Sequence, residues 1–239
     1  MPDWYASAMT ELKGGHWIVV GATGGLGTAI SRLLAREGAR LTLSGRNPDK
    51  LAALARELGE AVVATIAADL SVPSGPAAIA SAAQSDTGVD GVLYAAGVVA
   101  FGPLGELDDD TFDEVLLLDF VAPVRLLREI LPQLNAGSVV VHLSAVVAET
   151  PMKNMAVYSA AKAALSGFST AMGAELRRHK VRVLDVRPPH TDTGLHTRPV
   201  AGQAPPLGTA HGVEAVAQRI VDAITDGEKD LPAAAFADL

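Results

Sequence analysis

Gly21, Gly24, Gly25 and Gly27 stand within seven residues, directly after the apolar run "WIVV" and at the start of a helical pattern. A glycine inside regular structure costs roughly 0.5–1 kcal/mol relative to alanine, so such a density calls for a physical reason. Where a strand runs into a helix, free backbone N–H groups and the helix dipole make an anion site. A pyrophosphate can approach it only where side chains are absent, hence Gly21 and Gly25, and Gly27 lets the helix pack closely on the strand. Thr23, Gly24 and Leu26 complete this turn. Much later, "YSAAK" places Tyr158 and Lys162 four residues apart, on one face of a helix. A phenol near pKa 10 exchanges protons poorly at neutral pH; an adjacent ammonium favours the phenolate and lowers that pKa. That spacing therefore suits acid–base chemistry. There is no cysteine, so thiolate nucleophiles and cysteine zinc sites are excluded.

The elements that must position these groups alternate along the chain. Apolar runs of strand length are "HWIVVGA", "RLTLSG", "AVVATIAADL", "DGVLYAAG", "SVVVHLSAV" and "VRVLDVRP", with "DLPAAAFA" as a candidate last strand. Between them lie helical patterns: "LGTAISRLLAREGA", "NPDKLAALARELG", a weak "GPAAIASAAQSDTG", a long stretch over 108–137 that Pro123 should indent, about 25 residues from Ala156, and "GVEAVAQRIVDAITDG". The strands are apolar along most of their length rather than alternating, which predicts cover on both faces. The pattern predicts an α/β fold in which a mostly parallel sheet is wrapped by helices through right-handed crossovers. No interdomain linker interrupts the 239 residues, so 1–239 reads as one doubly wound domain. The one long irregular stretch, 194–212, reads as a lid or a disordered loop over the substrate. A net charge of −8 argues against nucleic acid or an anionic membrane as partner. The polar start carries no secretory signal, no apolar run reaches membrane-spanning length, and a cytoplasmic location is expected.

The spacing Gly21-xxx-Gly25-x-Gly27 resembles that of the short-chain dehydrogenase/reductase family, and further matching segments stand in the family's order over residues 18–193. Asp69 and Leu70 of "ADL" sit where the family contacts adenine. Ala95, Ala96 and Gly97 resemble its N-A-G, and Tyr158 and Lys162 its Y-x-x-x-K. "RPPHTDT", with Pro188, Thr191 and Thr193, resembles its P-G-x-x-x-T. The resemblance implies a Rossmann-type domain with about seven parallel strands. It also implies hydride transfer between a nicotinamide and a carbonyl carbon, with Tyr158 exchanging the proton and Lys162 holding the nicotinamide ribose. At the end of the second strand, beside Ser44, NAD-using members carry an acid. Here that place is Gly45, followed by Arg46, whose guanidinium can bind a 2′-phosphate. NADP(H) is the expected cofactor, although Gly24 stands where NADP-preferring members often carry a base. The family buries the helices of Asp119 and Tyr158 in a subunit contact, which implies a homodimer or homotetramer.

Four positions depart from the family pattern. Its serine falls on Ala145, with Ser144 adjacent but expected to point the other way; its helix asparagine falls on Asp119; N-N-A-G is Tyr94 to Gly97; and P-G is Pro188-Pro189. Two readings therefore stay open: an NADP(H)-dependent oxidoreductase in which Ser144, a water or the substrate replaces the serine, or a dinucleotide-binding protein with little turnover. The layout puts Val98 to Leu104, Val146, Met152, Met155 and Leu195 along an apolar alcohol or ketone. His142 reads as a satisfied strand histidine, and His190, His196 and His211 as surface residues without metal-site spacing. "DDD" at 108–110 reads as the acidic start of a helix.

Overall fold

The computed structural model describes residues 9–85 and 87–239. Most of the polar start read for a leader lies outside them. The elements run β1 His16–Val20, α1 Gly25–Arg36, β2 Arg40–Gly45, α2 Pro48–Leu58, β3 Val62–Ala67, α3 Ser74–Ala82 and β4 Val89–Tyr94. There follow α4 Asp109–Leu116, a π-helical turn Leu117–Val121, α5 Ala122–Ile130, β5 Leu134–Leu143, α6 Ala156–Leu176, β6 Arg182–Val186, α7 Val213–Thr225 and β7 Asp230–Leu231. The seven strands form one parallel sheet in the order β3-β2-β1-β4-β5-β6-β7. The order reverses between β1 and β4, and in doubly wound sheets a crevice opens at such a switch point, beyond the carboxyl ends of the strands.

Both faces of the central strands are covered, which is why they read as continuous apolar runs. Ile18, Val20, Val92 and Val140 pack into one layer with Ile79, Leu126 and Val157 of α3, α5 and α6. Their neighbours Trp17, Val19, Leu93 and Val141 pack into the other with Ile30, Leu51 and Ile220 of α1, α2 and α7. The edge strand β3 departs from that expectation: Val63, Thr65 and Ala67 are exposed, because nothing covers the outer face there.

Two further expectations are corrected, and one open reading is narrowed. The stretch over 108–137 is not one helix: Pro123 has no N–H to offer the carbonyl of Asp119, and the turn before it widens so that the Ala122 N–H reaches the Leu117 carbonyl. That helical stretch gives way to β5 already at Leu134. The last strand keeps only Asp230 and Leu231, since Pro232 follows and Ala233–Phe236 is a 3₁₀ turn. The 194–212 segment is ordered. Backbone hydrogen bonds from Val200 to Val99 (2.9 Å) and from Phe101 to Ala201 (2.9 Å) tie it to the chain after β4, and His211 to His190 (2.8 Å) ties it to the chain after β6.

Candidate active site

A cleft of about 710 Å³ lies beyond the strand ends and contains every catalytic and cofactor-binding residue expected from the sequence except Gly27 and Asp69. The glycine turn forms one wall. Gly21 sits at φ +78°, and a Cβ there would lie 2.6 Å from the Ala96 nitrogen. At Gly27 a Cβ would meet the Gly21 carbonyl oxygen at 2.1 Å, so the helix packs closely on the turn that enters it. At Gly25 a Cβ would stand 2.7 Å from the Thr193 Cβ, so the segment after β6 also requires a glycine there. The Ser44 carbonyl accepts from the N–H groups of Gly21 and Ala22, both at 2.9 Å, and so joins the turn to the end of β2. Gly24 caps α1 without a side-chain hydrogen bond, leaving the N–H groups of the first turn directed at the cleft.

At the far end of β2, Arg46 is exposed and lines the cleft beside Asn47 and Lys50. Asn47 caps α2 by accepting from the Lys50 N–H at 3.0 Å. Sequence reasoning missed Lys50, although its place four residues after Arg46, in the first turn of α2, is the available signal. A Cβ at Gly45 would sit close to the Thr23 hydroxyl, at 3.0 Å. Asp69 stands apart from the other expected cofactor-binding residues. It is exposed outside the cleft lining, and its carboxylate accepts from the Ser71 N–H at 2.9 Å, which lowers its pKa. Leu70, with Ala68, is the buried residue that lines the cleft there.

The opposite wall carries the titratable cluster. Asp119 is fully buried in the π-helical turn, and its Oδ1 lies 3.0 Å from the Lys162 Nζ. The widened turn frees the Leu118 carbonyl, which the Tyr94 hydroxyl caps at 2.9 Å. Gly97 is required beside it, because a Cβ would stand 2.3 Å from Asp119 Oδ1. Lys162, one turn beyond Tyr158 on α6, also donates to the Leu143 carbonyl at 3.0 Å, and its Nζ is 5.7 Å from the Tyr158 ring centre. Burial alone disfavours this ammonium, but Asp119, Tyr158 and Asp185 outweigh it and raise its pKa. The Tyr158 phenol is not lowered as the pair by itself predicts. Burial pushes it up to about 12, with Lys162 acting against that and Asp119 adding to it.

Ser144 lines the cleft, but its hydroxyl is turned to other partners. Its hydroxyl donates to Asp185 at 2.5 Å and accepts from Ser166 at 3.1 Å. The reason is engagement rather than simple strand alternation, since Ser166 lies one turn beyond Lys162 on the same helix. Ala145, beyond the end of β5, is buried in the apolar cluster that includes Tyr158. Pro188 accepts from the Val146 N–H at 3.0 Å, and the Thr191 hydroxyl is spent on the Pro189 carbonyl at 2.8 Å. Of the expected apolar lining, Val98, Val99, Phe101, Val146, Met152, Met155 and Leu195 are in place, whereas Ala100, Gly102, Pro103 and the 65 % exposed Leu104 are outside it. His142 donates or accepts at Ser169, 2.8 Å away, buried as expected. The other three histidines are not simple surface residues. His190, His196 and His211 are half-buried in the cleft lining, because the tie between His190 and His211 folds the loop inward.

The short chain dehydrogenase family profile matches residues 16–203. Among known proteins, the chain is 32 % identical to Nodulation protein G of Rhizobium sp. (strain N33) over 190 residues, covering 78 % of this chain and 77 % of that one. A metagenomic short-chain oxidoreductase solved in complex with NADP superimposes with a TM-score of 0.78 at 29 % identity, over 94 % of this chain and 98 % of that one. A short chain dehydrogenase/reductase from Burkholderia phymatum, solved in complex with NAD, has the same fold, with a TM-score of 0.84 at 21 % identity over 94 % and 90 % of the two chains. Sheet order, glycine turn, Tyr158–Lys162 spacing and family profile thus agree, and the chain belongs to the short-chain dehydrogenase/reductase family of oxidoreductases.

Proposed function

We propose that this chain is an NADP(H)-dependent oxidoreductase that interconverts a carbonyl and an alcohol. The observation that carries the reading is the Tyr158–Lys162–Asp119 cluster, buried in the wall of the same cleft that holds the uncapped N-terminus of α1. The residues present suit a phosphorylated dinucleotide. The lining carries Arg46, Lys50, Lys162 and Arg198, and among the described residues its one acid is Asp119, already paired with Lys162. When bound, the reduced nicotinamide supplies a hydride to the carbonyl carbon. Tyr158 gives its phenolic proton to the carbonyl oxygen, and Lys162 stabilises the phenolate that remains. Val98, Phe101, Met152, Met155 and Leu195 exclude water and favour an apolar substrate.

Arg46 and Lys50 support NADP(H) over NAD(H), since no carboxylate stands at Gly45 to repel a 2′-phosphate. The NADP complex of the metagenomic relative is consistent with this. We read the protein as one domain, cytoplasmic, with the 194–212 segment as the substrate lid and a homodimer or homotetramer as its assembly. Among the described residues no helix is long and apolar enough to cross a membrane. Ala145 favours a second reading, a dinucleotide-binding protein with little turnover, because one hydrogen-bond donor to the substrate oxygen is missing. NADPH oxidation against a panel of apolar ketones and aldehydes, run beside calorimetric NADPH affinity, separates the two. Turnover with any of them supports the enzyme, and tight binding without turnover supports the second reading.

A further inference from the structure

We propose that Asp119 is a positioning residue that neutralises Lys162, holds Tyr158 protonated, and so sets the pH range over which the site works. The proposal rests on the reading of Tyr158 as the proton donor. Its basis is geometric. Asp119 is wholly buried, with one carboxylate oxygen 3.0 Å from the Lys162 Nζ, and that same ammonium is 5.7 Å from the Tyr158 ring centre. The carboxylate is built in rather than incidental. The π-helical turn aims it inward, Tyr94 caps the carbonyl this turn frees, and Gly97 leaves the space a Cβ would take.

An ammonium alone beside a buried phenol favours the phenolate. With a carboxylate closer to it than the ring is, the pair carries no net charge, and the phenol is left with the penalty of its own burial. The other titratable groups facing the pair do not restore the missing positive charge. Tyr94 of β4 is a phenol whose burial keeps it neutral. His142 of β5 is pushed down to about 4 by burial and by Lys162, so it is uncharged at neutral pH. Asp185 of β6 adds negative charge, itself compensated by the Arg187 guanidinium. In reduction, the proton leaves the Tyr158 oxygen for the substrate oxygen as the hydride arrives at the carbon, and solvent replaces it. In oxidation the phenolate must accept that proton. A raised phenol pKa therefore keeps reduction independent of pH far into the alkaline range and delays oxidation to high pH. At any fixed pH both directions change together, so no equilibrium is altered.

The test is a tyrosinate absorbance titration of the cofactor-free protein, with Tyr158→Phe as the blank that isolates Tyr158. Half-titration is expected above about pH 10, and at least about one pH unit lower in Asp119→Asn. Half-titration below about pH 9 in the unmodified protein overturns the proposal without any variant, as does an unchanged or raised value in Asp119→Asn. If Asp119→Asn does not fold, as judged by circular dichroism, Asp119→Ser carries the same expectation. With a turned-over ketone, the alkaline limb of kcat/KM for NADPH-dependent reduction should move down by the same amount in Asp119→Asn. If no carbonyl compound is turned over, the oxidoreductase reading fails, and the absorbance titration still decides the role of Asp119.

Discussion

By its resemblance to the family, Ala145 is read as holding the place of a serine whose hydroxyl would meet the developing oxyanion, and its neighbour Ser144 is bound to Asp185 and Ser166. Restoring the donor with Ala145→Ser is expected to raise kcat/KM on a simple ketone by roughly tenfold or more, as such donors do elsewhere. Tyr158→Phe should abolish turnover in either background and leave calorimetric NADPH affinity nearly unchanged, since the phenol acts in the transition state. No gain from Ala145→Ser would favour the reading without turnover. Arg46, exposed beside Lys50 in the cleft lining, is the residue proposed to set the cofactor preference. Arg46→Ala should remove about 1–3 kcal/mol of the preference for NADPH over NADH, the scale of a charged hydrogen bond, and equal dissociation constants in the unmodified protein would refute the assignment. His142 makes a stability prediction. Burial first, and then the Lys162 charge, lower its pKa from 6.5 to about 4. The unfolded chain therefore takes up a proton that the folded one refuses. Stability should fall as pH drops from about 6.5 and level off near 4, by up to about 3 kcal/mol. Urea denaturation across that range should show a shallower fall in His142→Gln, with His16, shifted in the same direction, accounting for part of the remainder.

At the scale of elements, the site depends on a break in a helix. The Ala122 N–H bonds to Leu117, so the Leu118 carbonyl needs another donor, and the buried Tyr94 hydroxyl provides it. Tyr94→Phe should leave that carbonyl unpaired and cost about 1–3 kcal/mol in urea denaturation. It should also weaken turnover, because the same turn aims Asp119 at Lys162. A variant with unchanged stability would show that the π-helical turn holds without its cap. Pro123 was legible as a disturbance in the 108–137 pattern; the form it takes was not, because a widened turn depends on a donor 24 residues away on β4. The glycine turn shows the same division. Its place between β1 and α1 follows from composition and order, whereas Gly25 answers to Thr193, which lies in a segment from the other half of the sheet.

For the whole molecule, the helical stretch around Asp119 and helix α6, which carry the cluster, are the surfaces proposed for assembly, and sedimentation at micromolar concentration should return a dimer or tetramer; a monomer would count decisively against it. A mostly parallel sheet and the order of the motifs were readable from the chain alone, and the family resemblance supplied the count of about seven strands. Apolar runs of strand length alternating with helical periodicity admit few other arrangements once right-handed crossovers are required. The positions of Gly21, Arg46, Tyr158 and Lys162 were readable too, since each belongs to one local segment with its own spacing. What only the tertiary structure decided are the properties that arise between segments. Asp69 lies outside the cleft because its carboxylate is engaged by Ser71 two residues on. The three loop histidines enter the cleft because His190 and His211 are tied across it. Tyr158 is raised rather than lowered because burial disfavours the phenolate more than Lys162 favours it, and Asp119, 39 residues earlier in the chain, pairs with Lys162 and adds to the rise. Local periodicity reports which face of an element is buried; the charge a buried group feels is a sum over every element that surrounds it.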